Sequence, residues 1–98
     1  IYLNFNPQSG HEQAGKRPGL VISPKTYNAK VGLALCCPIT SSAKGYPFEV
    51  GLFGKVHGVI LADQIKNLDW KVRKARYITK ISPSTFEEVI AKLQTLLM

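Results

Sequence analysis

The residues best suited to chemistry in this chain lie in one loop, residues 10–18, with the sequence GHEQAGKRP. The loop gathers an imidazole, a carboxylate, an amide and two cations between two apolar runs, and a buried core has little use for such groups. Gly10 and Gly15 let the backbone take positive φ and approach a ligand closely. Because binding and catalysis tend to lie in loops that carry ionisable groups on a rigid scaffold, the sequence predicts a phosphate-handling site here.

Arg17 is the candidate in this loop for stabilising charge on a phosphate. Its guanidinium is always cationic and can address two phosphate oxygens at once. The structural alternative is a surface ion pair with Glu12 in the same loop. His11 and Glu12 are candidate proton carriers, since an imidazole with a pKa of about 6.5 can accept or donate a proton at neutral pH. For His11 the alternative is a solvated loop residue.

Two further candidates follow apolar runs. Thr40 ends a predicted strand, so its hydroxyl can project into a cleft and donate to a phosphate oxygen. The residues alone favour the alternative, an ordinary turn threonine beside Ser41 and Ser42. Asp63 follows the apolar residues 59–61 and is either a general base or the cap of a short helix.

Residues 44–48, KGYPF, combine a cation, two aromatic rings and turn formers. Single-stranded RNA is usually held by base stacking on exposed aromatic side chains, together with attraction to its backbone. We therefore predict that Lys44 and Tyr46 contact RNA and that Phe48 is a core residue at the start of a strand. The alternative is that both rings belong to the core and flank a turn.

The elements that must position these residues are mostly strands. Short extended runs separated by turn residues indicate a small antiparallel barrel or sandwich. Residues 1–5 resemble a strand already in progress, so we expect the natural chain to begin before Ile1. A tight hairpin is predicted over residues 51–55. The predicted strands are residues 2–5, 20–23, 33–37, 48–52, 56–61 and 72–78.

The C-terminal part of the chain has a different pattern. Apolar residues recur at helical spacing from Phe86 to Leu97, which predicts an amphipathic helix that packs on the sheet. Ser84 and Glu87, three residues apart, form a capping box that would start this helix. A weaker, one-turn helix is predicted at residues 64–69.

The chain is strongly basic, with thirteen Lys and Arg against six Asp and Glu and a net charge of +7. Such a charge implies an anionic partner: nucleic acid, an acidic protein segment, or both. A membrane partner is not expected, because the sequence has no apolar run of about 18 residues and its basic residues do not line one face of an apolar helix. We assign the basic residues of the 71–80 segment to general electrostatic attraction, and Trp70 to a core anchor or a dimer contact.

The sequence predicts neither a metal site nor a cofactor. His11 and His57 lie in separate segments that match no zinc spacing, and no phosphate loop or dinucleotide fingerprint is present. Cys36 and Cys37 are adjacent in an apolar strand, so their side chains point to opposite faces, and we expect reduced, partly buried thiols in a cytoplasmic protein. A metal-free site can still cleave RNA, because the 2′-hydroxyl can attack the adjacent phosphorus with help from a base, a cation and an acid.

Four ordered blocks resemble the MazF/PemK family, the ribonuclease toxins of bacterial toxin–antitoxin pairs. The blocks are residues 10–18, residues 38–41 (PITS), residues 44–50 (KGYPFEV) and residues 58–64 (GVILADQ). They span nearly the whole chain, and the third is closest to the MazF branch. The resemblance implies one toxin domain over residues 1–98, an SH3-like barrel of the kind shared by MazF, PemK and the gyrase poison CcdB, and a homodimer. Family members also have a short lead-in before the first strand.

The resemblance also implies roles for single residues. Arg17 and Thr40 match catalytic residues of the family, and His11 matches one that the PemK-like branch uses. Asp63 matches an aspartate that PemK-like enzymes use with a basic residue two positions earlier, where this chain has Leu61. The predicted catalytic residues are Arg17, Thr40, Glu12 and His11. The predicted RNA contacts are Gln13, Lys16, Ser41, Lys44, Tyr46, Asp63 and Gln64.

The activity that the resemblance implies is sequence-specific, metal-independent cleavage of single-stranded RNA or mRNA, which leaves a 2′,3′-cyclic phosphate and a 5′-hydroxyl. It further implies an acidic, MazE-like antitoxin that covers the RNA groove. Two alternatives are a CcdB-like toxin that poisons gyrase by binding and a non-catalytic RNA-binding barrel. The loop at residues 10–18 argues against both, whereas composition and charge fit the second equally well.

Overall fold

Six strands and two helices form the part of the chain that the computed structural model describes, namely residues 2–5, 17–73 and 75–97. For residues 2–5 and Arg17 the description covers the backbone alone. The elements are β1 (Tyr2–Phe5), β2 (Arg17–Val21), α1 (Lys25–Val31), β3 (Leu33–Thr40), β4 (Glu49–Leu52), β5 (Gly58–Leu61), β6 (Lys66–Asp69) and α2 (Pro83–Leu97).

The sheet is built around β3, the longest strand, and every pairing is antiparallel. The strand order is β1-β2-β3-β5-β4. One edge of β3 pairs with β2, with Gly19 opposite Pro38. Along its other edge β3 pairs first with β6 and then, through its last two residues, with β5. The C-terminal end of β3 therefore lies between β2 and β5.

Two apolar clusters lie on opposite faces of β3. Cys37 belongs to the larger one, which includes Val89 of α2, and Cys36 belongs to the smaller one, against which Trp70 packs. Both cysteines are free and buried, as their adjacency in a strand predicts. Trp70 acts as a core anchor, and its indole N–H donates to the Asn28 carbonyl at 3.0 Å.

The predicted class, mainly β with a C-terminal helix, is confirmed. Five of the six predicted strands are present: β1 has the predicted ends, and each of the other four is shifted at one end or both. Strands β4 and β5 form the predicted hairpin, although residues 53–57 make its loop longer than a tight turn. Neither helix in the described ranges has the length and apolarity that are needed to cross a membrane.

The predicted strand at residues 72–78 is wrong. The Asp69 carboxylate accepts hydrogen bonds from the backbone N–H groups of Lys71 and Val72, at 3.1 and 3.0 Å. A side chain that satisfies two amides in this way favours a turn over a strand. Residues 71–73 accordingly form a turn, and Tyr77 makes only an isolated bridge.

Two predictions about helices are also wrong, and one helix was missed. Residues 66–69 form β6 rather than a helix, because they pair with β3 and Leu68 is buried. Helix α1 was not predicted, since it buries no side chain fully and so has no apolar stripe. Helix α2 starts without the predicted Ser84 capping box: the Ser82 hydroxyl accepts from the Thr85 N–H at 3.2 Å, and Pro83 takes the first helical position.

Candidate active site

A cleft of about 690 Å³ opens at the C-terminal end of β3. We call it the β3 cleft, and we call residues 41–48, which connect β3 to β4, the cleft loop. Four of the predicted site residues line the cleft: Thr40, Lys44, Tyr46 and Gln64. Ser41 is exposed and directly follows Thr40. The remaining lining residues are Pro38, Ile39, Ser42, Gly45, Pro47, Glu49 and Leu61.

Thr40 is held in place by its pairing with Val59 of β5. The neighbouring Gly58 has a φ of +137°, and a Cβ atom there would collide with the Thr40 carbonyl. Only glycine therefore lets β5 approach the end of β3 this closely. The Thr40 hydroxyl accepts a hydrogen bond from the Ser42 N–H at 3.1 Å, as a turn threonine does. Its own proton is not used in that bond, so the group can still donate to a ligand.

The cleft loop is shaped by Glu49, which the sequence analysis did not identify. Its carboxylate accepts from the backbone N–H groups of Lys44 and Gly45, at 2.9 and 3.2 Å, and its own N–H donates to the Tyr46 carbonyl at 3.0 Å. Gly45 takes a φ of +74° within this turn. A carboxylate placed four residues after a turn glycine is the sequence signal that could have indicated this role.

Tyr46, which lines the cleft, forms a hydrogen bond with Asp63. The Tyr46 hydroxyl donates to Oδ2 of Asp63 at 2.6 Å, and this bond, together with the negative charge of the carboxylate, raises the pKa of the phenol. Tyr46 is 47% exposed, and the centroid of its ring lies 5.9 Å from that of the Phe48 ring. It is therefore open to a stacking partner. Phe48 is half-buried and directly precedes β4.

Asp63 does not cap a helix, so that alternative is wrong: it lies in a turn that the Gln64 N–H closes on the Leu61 carbonyl at 3.1 Å, and β6 follows. Its Oδ1 atom is buried and has no hydrogen-bond partner among the described residues. Those residues also include no group of three or more His, Cys, Asp or Glu side chains that could hold a metal ion.

The backbone of Arg17 lies at the same end of the sheet as Thr40. Gly19 of β2 pairs with Pro38 of β3. Arg17 lies two residues before Gly19, and Thr40 lies two residues after Pro38. Since the strands run antiparallel, the two positions fall at one end of the pair. Four other predicted site residues lie outside the described residues: His11, Glu12, Gln13 and Lys16.

Comparison with known proteins agrees with this architecture. A family model described as a PemK-like, MazF-like toxin of type II toxin–antitoxin systems matches residues 1–97. The chain is 45% identical over 98 residues to the endoribonuclease toxin MazF of Escherichia coli K12, covering 99% of this chain and 88% of the relative.

Two crystal structures from Deinococcus radiodurans are similar to this one. One is of MazF, with 48% identity and a TM-score of 0.87, covering 98% of this chain and 91% of the other. The other is of MazE–MazF, with 50% identity and a TM-score of 0.87, covering 99% and 89%. These matches confirm the resemblance and the fold that the four sequence blocks predict. The chain thus belongs to the family of PemK-like, MazF-like toxins of type II toxin–antitoxin systems.

Proposed function

We propose that this chain is an endoribonuclease toxin that binds single-stranded RNA in the β3 cleft and cleaves it. The family and the names of its relatives support an RNA-cleaving activity. The observation that carries the proposal is the composition of the cleft, which combines the Thr40 hydroxyl, the exposed Lys44 and the half-exposed Tyr46. A hydroxyl donor, a cation and a stacking surface are what a single strand requires.

The reaction that we propose uses the RNA's own 2′-hydroxyl. A base removes the 2′-hydroxyl proton, the 2′-oxygen forms a bond to the adjacent phosphorus, and the bond from phosphorus to the 5′-oxygen breaks. An acid donates a proton to that 5′-oxygen, and the products are a 2′,3′-cyclic phosphate and a 5′-hydroxyl. Glu12 and His11 are the proposed proton carriers. Arg17 stabilises the charge on the phosphorane, and Thr40 donates to one of its oxygens.

Substrate binding involves the remaining predicted residues. Lys44 attracts a phosphate, Tyr46 stacks on a base, and Gln64 offers an amide to a base edge. Asp63 contributes by holding the Tyr46 hydroxyl. Further RNA contacts are proposed for Gln13, Lys16 and Ser41.

We propose that two copies of the chain form a dimer and that an acidic, MazE-like antitoxin covers its RNA groove. The MazE–MazF structures of Deinococcus radiodurans support such a partner, and the net charge of +7 suits both an acidic segment and RNA. A cytoplasmic location is consistent with the two free cysteines.

The proposal is tested with Arg17→Ala and Thr40→Ala. Removing a donor to a developing negative charge typically lowers the rate on the order of a hundredfold to a thousandfold. We expect that loss for Arg17→Ala and a smaller one for Thr40→Ala, because a neutral hydroxyl contributes less than a cation. Cleavage of a labelled RNA is followed at equal protein concentration, with Lys30→Ala as the control for lost charge and thermal unfolding as the control for folding.

The same assay includes one altered substrate and one added chelator. RNA with deoxyribose at the cleaved position should remain intact, and EDTA should leave the rate of cleavage unchanged. Full activity of Arg17→Ala, or cleavage at the deoxyribose position, would contradict the proposed mechanism.

A further inference from the structure

The cleft loop is held by a residue far away in the chain. Nζ of Lys92, in α2, donates a hydrogen bond to the backbone carbonyl of Pro47 at 2.6 Å. We propose that Lys92 is a positioning residue that ties the cleft loop to α2 and thereby favours RNA binding. This inference rests on the proposed function, because it assigns the loop to RNA recognition.

Helix α2 gives Lys92 a fixed base. Lys92 precedes the buried Leu93 by one residue and follows the buried Val89 by three. Val89 belongs to the larger apolar cluster together with residues of β2 to β5. The backbone of Lys92 is therefore fixed to the core, and its half-buried stem carries the ammonium to the loop. A bond from a charged donor is stronger than one between neutral groups.

The attachment point lies where the loop needs support. Residues 41–47 are all exposed, so packing contributes little to their order. Within the described residues, Glu49 holds the backbone of Lys44 and Gly45, and Asp63 holds the side chain of Tyr46. Lys92 adds a bond from outside the sheet, to the residue that follows Tyr46. The bond thus restrains the loop next to the stacking ring.

Restraint of the cleft loop should affect RNA binding more than the chemical step. An untethered loop must lose conformational freedom when RNA binds, and that cost weakens affinity. Thr40 and Arg17 lie on β3 and β2 rather than on the loop, so the reacting groups stay in place without the tether. Loss of Lys92 should therefore raise KM and leave kcat nearly unchanged.

The test compares Lys92→Met, Lys92→Arg and Lys30→Met. Methionine keeps an unbranched apolar stem and removes the donor, whereas arginine keeps a cationic donor. Lys30→Met removes the same charge from the end of α1, which precedes β3 and so lies away from its C-terminal end. Two measurements are made on each protein: KM and kcat for RNA cleavage, and amide hydrogen exchange across residues 41–49.

For Lys92→Met we expect KM to rise about fivefold, kcat to stay near wild type, and exchange to accelerate at the amides of Lys44, Gly45 and Glu49. Lys92→Arg should keep KM and loop exchange near their wild-type values, and Lys30→Met should leave loop exchange unchanged. Equal loop exchange in wild type and Lys92→Met would overturn the tether. Equal effects of Lys30→Met and Lys92→Met on KM would overturn it too, in favour of general charge attraction.

Hydrogen exchange requires no substrate, so it separates this inference from the proposed function. If the wild-type chain cleaves no RNA, the proposed function fails, while exchange in Lys92→Met still decides whether the tether exists. Cooperative thermal unfolding of Lys92→Met excludes a folding defect as the cause.

Discussion

At the scale of single residues, Cys36 and Cys37 show how position decides chemistry. Burial raises the pKa of the Cys36 thiol from 9.0 to about 12 and that of Cys37 to about 11. The nearby carboxylate of Asp63 also raises the pKa of Cys37. Since the thiolate is the reactive form, both thiols remain unreactive in the folded chain at neutral pH.

These pKa values predict that the chain loses stability in alkali. In the unfolded chain the thiols ionise near pH 9, whereas in the folded chain they retain their protons to about pH 11–12. The stability contributed by the protonated thiols is therefore fully present below pH 9 and is lost as the pH rises through that window. Urea unfolding at pH 8, 9 and 10 measures the change.

Cys36→Ala provides the comparison for this prediction. The variant will be less stable at every pH because it leaves a cavity, but its stability should fall less steeply above pH 9. Identical slopes for wild type and Cys36→Ala would show that the Cys36 thiol does not cause the alkaline loss.

Residue types and the family resemblance together predicted part of the candidate site. Thr40, Lys44, Tyr46 and Gln64 were predicted from residue type and family resemblance, and the structure brings them into one cleft. Lys92 could not be predicted, because its partner lies 45 residues earlier in the chain. Such a pairing depends on how α2 docks, which no local pattern encodes. The roles of all the predicted site residues, including Arg17, His11 and Glu12, stay predictions.

At the scale of elements, the apolar pattern of the sequence predicted five of the strands and helix α2. It failed for β6, whose residues 66, 67 and 69 are exposed and polar, and for α1, which buries no residue fully. Backbone pairing with β3 stabilises β6 despite its weak strand propensity. The boundaries of α1 did have a signal: Pro24 precedes it, and Gly32 ends it at a φ of +80°.

Gly58 links the geometry of β5 to the position of Thr40. Gly58→Ala places a Cβ against the Thr40 carbonyl and forces a non-glycine residue to a φ of +137°. We expect a loss of stability of roughly 2–3 kcal/mol. Because the end of β3 must shift to relieve the contact, RNA cleavage should also fall, on the order of tenfold to a hundredfold.

Gly54→Ala is the matched control. Gly54 also has a positive φ, of +116°, but a Cβ there meets no atom within 4 Å. This variant should lose roughly 1 kcal/mol and keep its activity. Urea unfolding and RNA cleavage are measured for both variants. If Gly58→Ala cleaves RNA as fast as Gly54→Ala does, the close approach of β5 does not position Thr40.

At the scale of the whole molecule, we propose that the net charge attracts anionic partners and the β3 cleft determines where they bind. A dimer of this chain would carry +14, a field that attracts any flexible anionic chain. Such attraction does not by itself place RNA and antitoxin in the same groove. In our proposal the β3 cleft places RNA and antitoxin in the same groove, because Lys44 and the half-exposed Tyr46 offer one surface to either partner.

We therefore expect an acidic antitoxin peptide and RNA to exclude each other. A non-cleavable RNA, with 2′-deoxyribose at the cleaved position, should displace the labelled peptide, and both affinities should fall as salt rises. Lys44→Ala should weaken both ligands, whereas Lys30→Ala, at the other end of β3, should weaken neither by more than its general charge effect. Light scattering at micromolar concentration reports whether the chain is a dimer. Independent, simultaneous binding of peptide and RNA would refute a shared groove, and a monomer would remove the two-chain groove from the proposal.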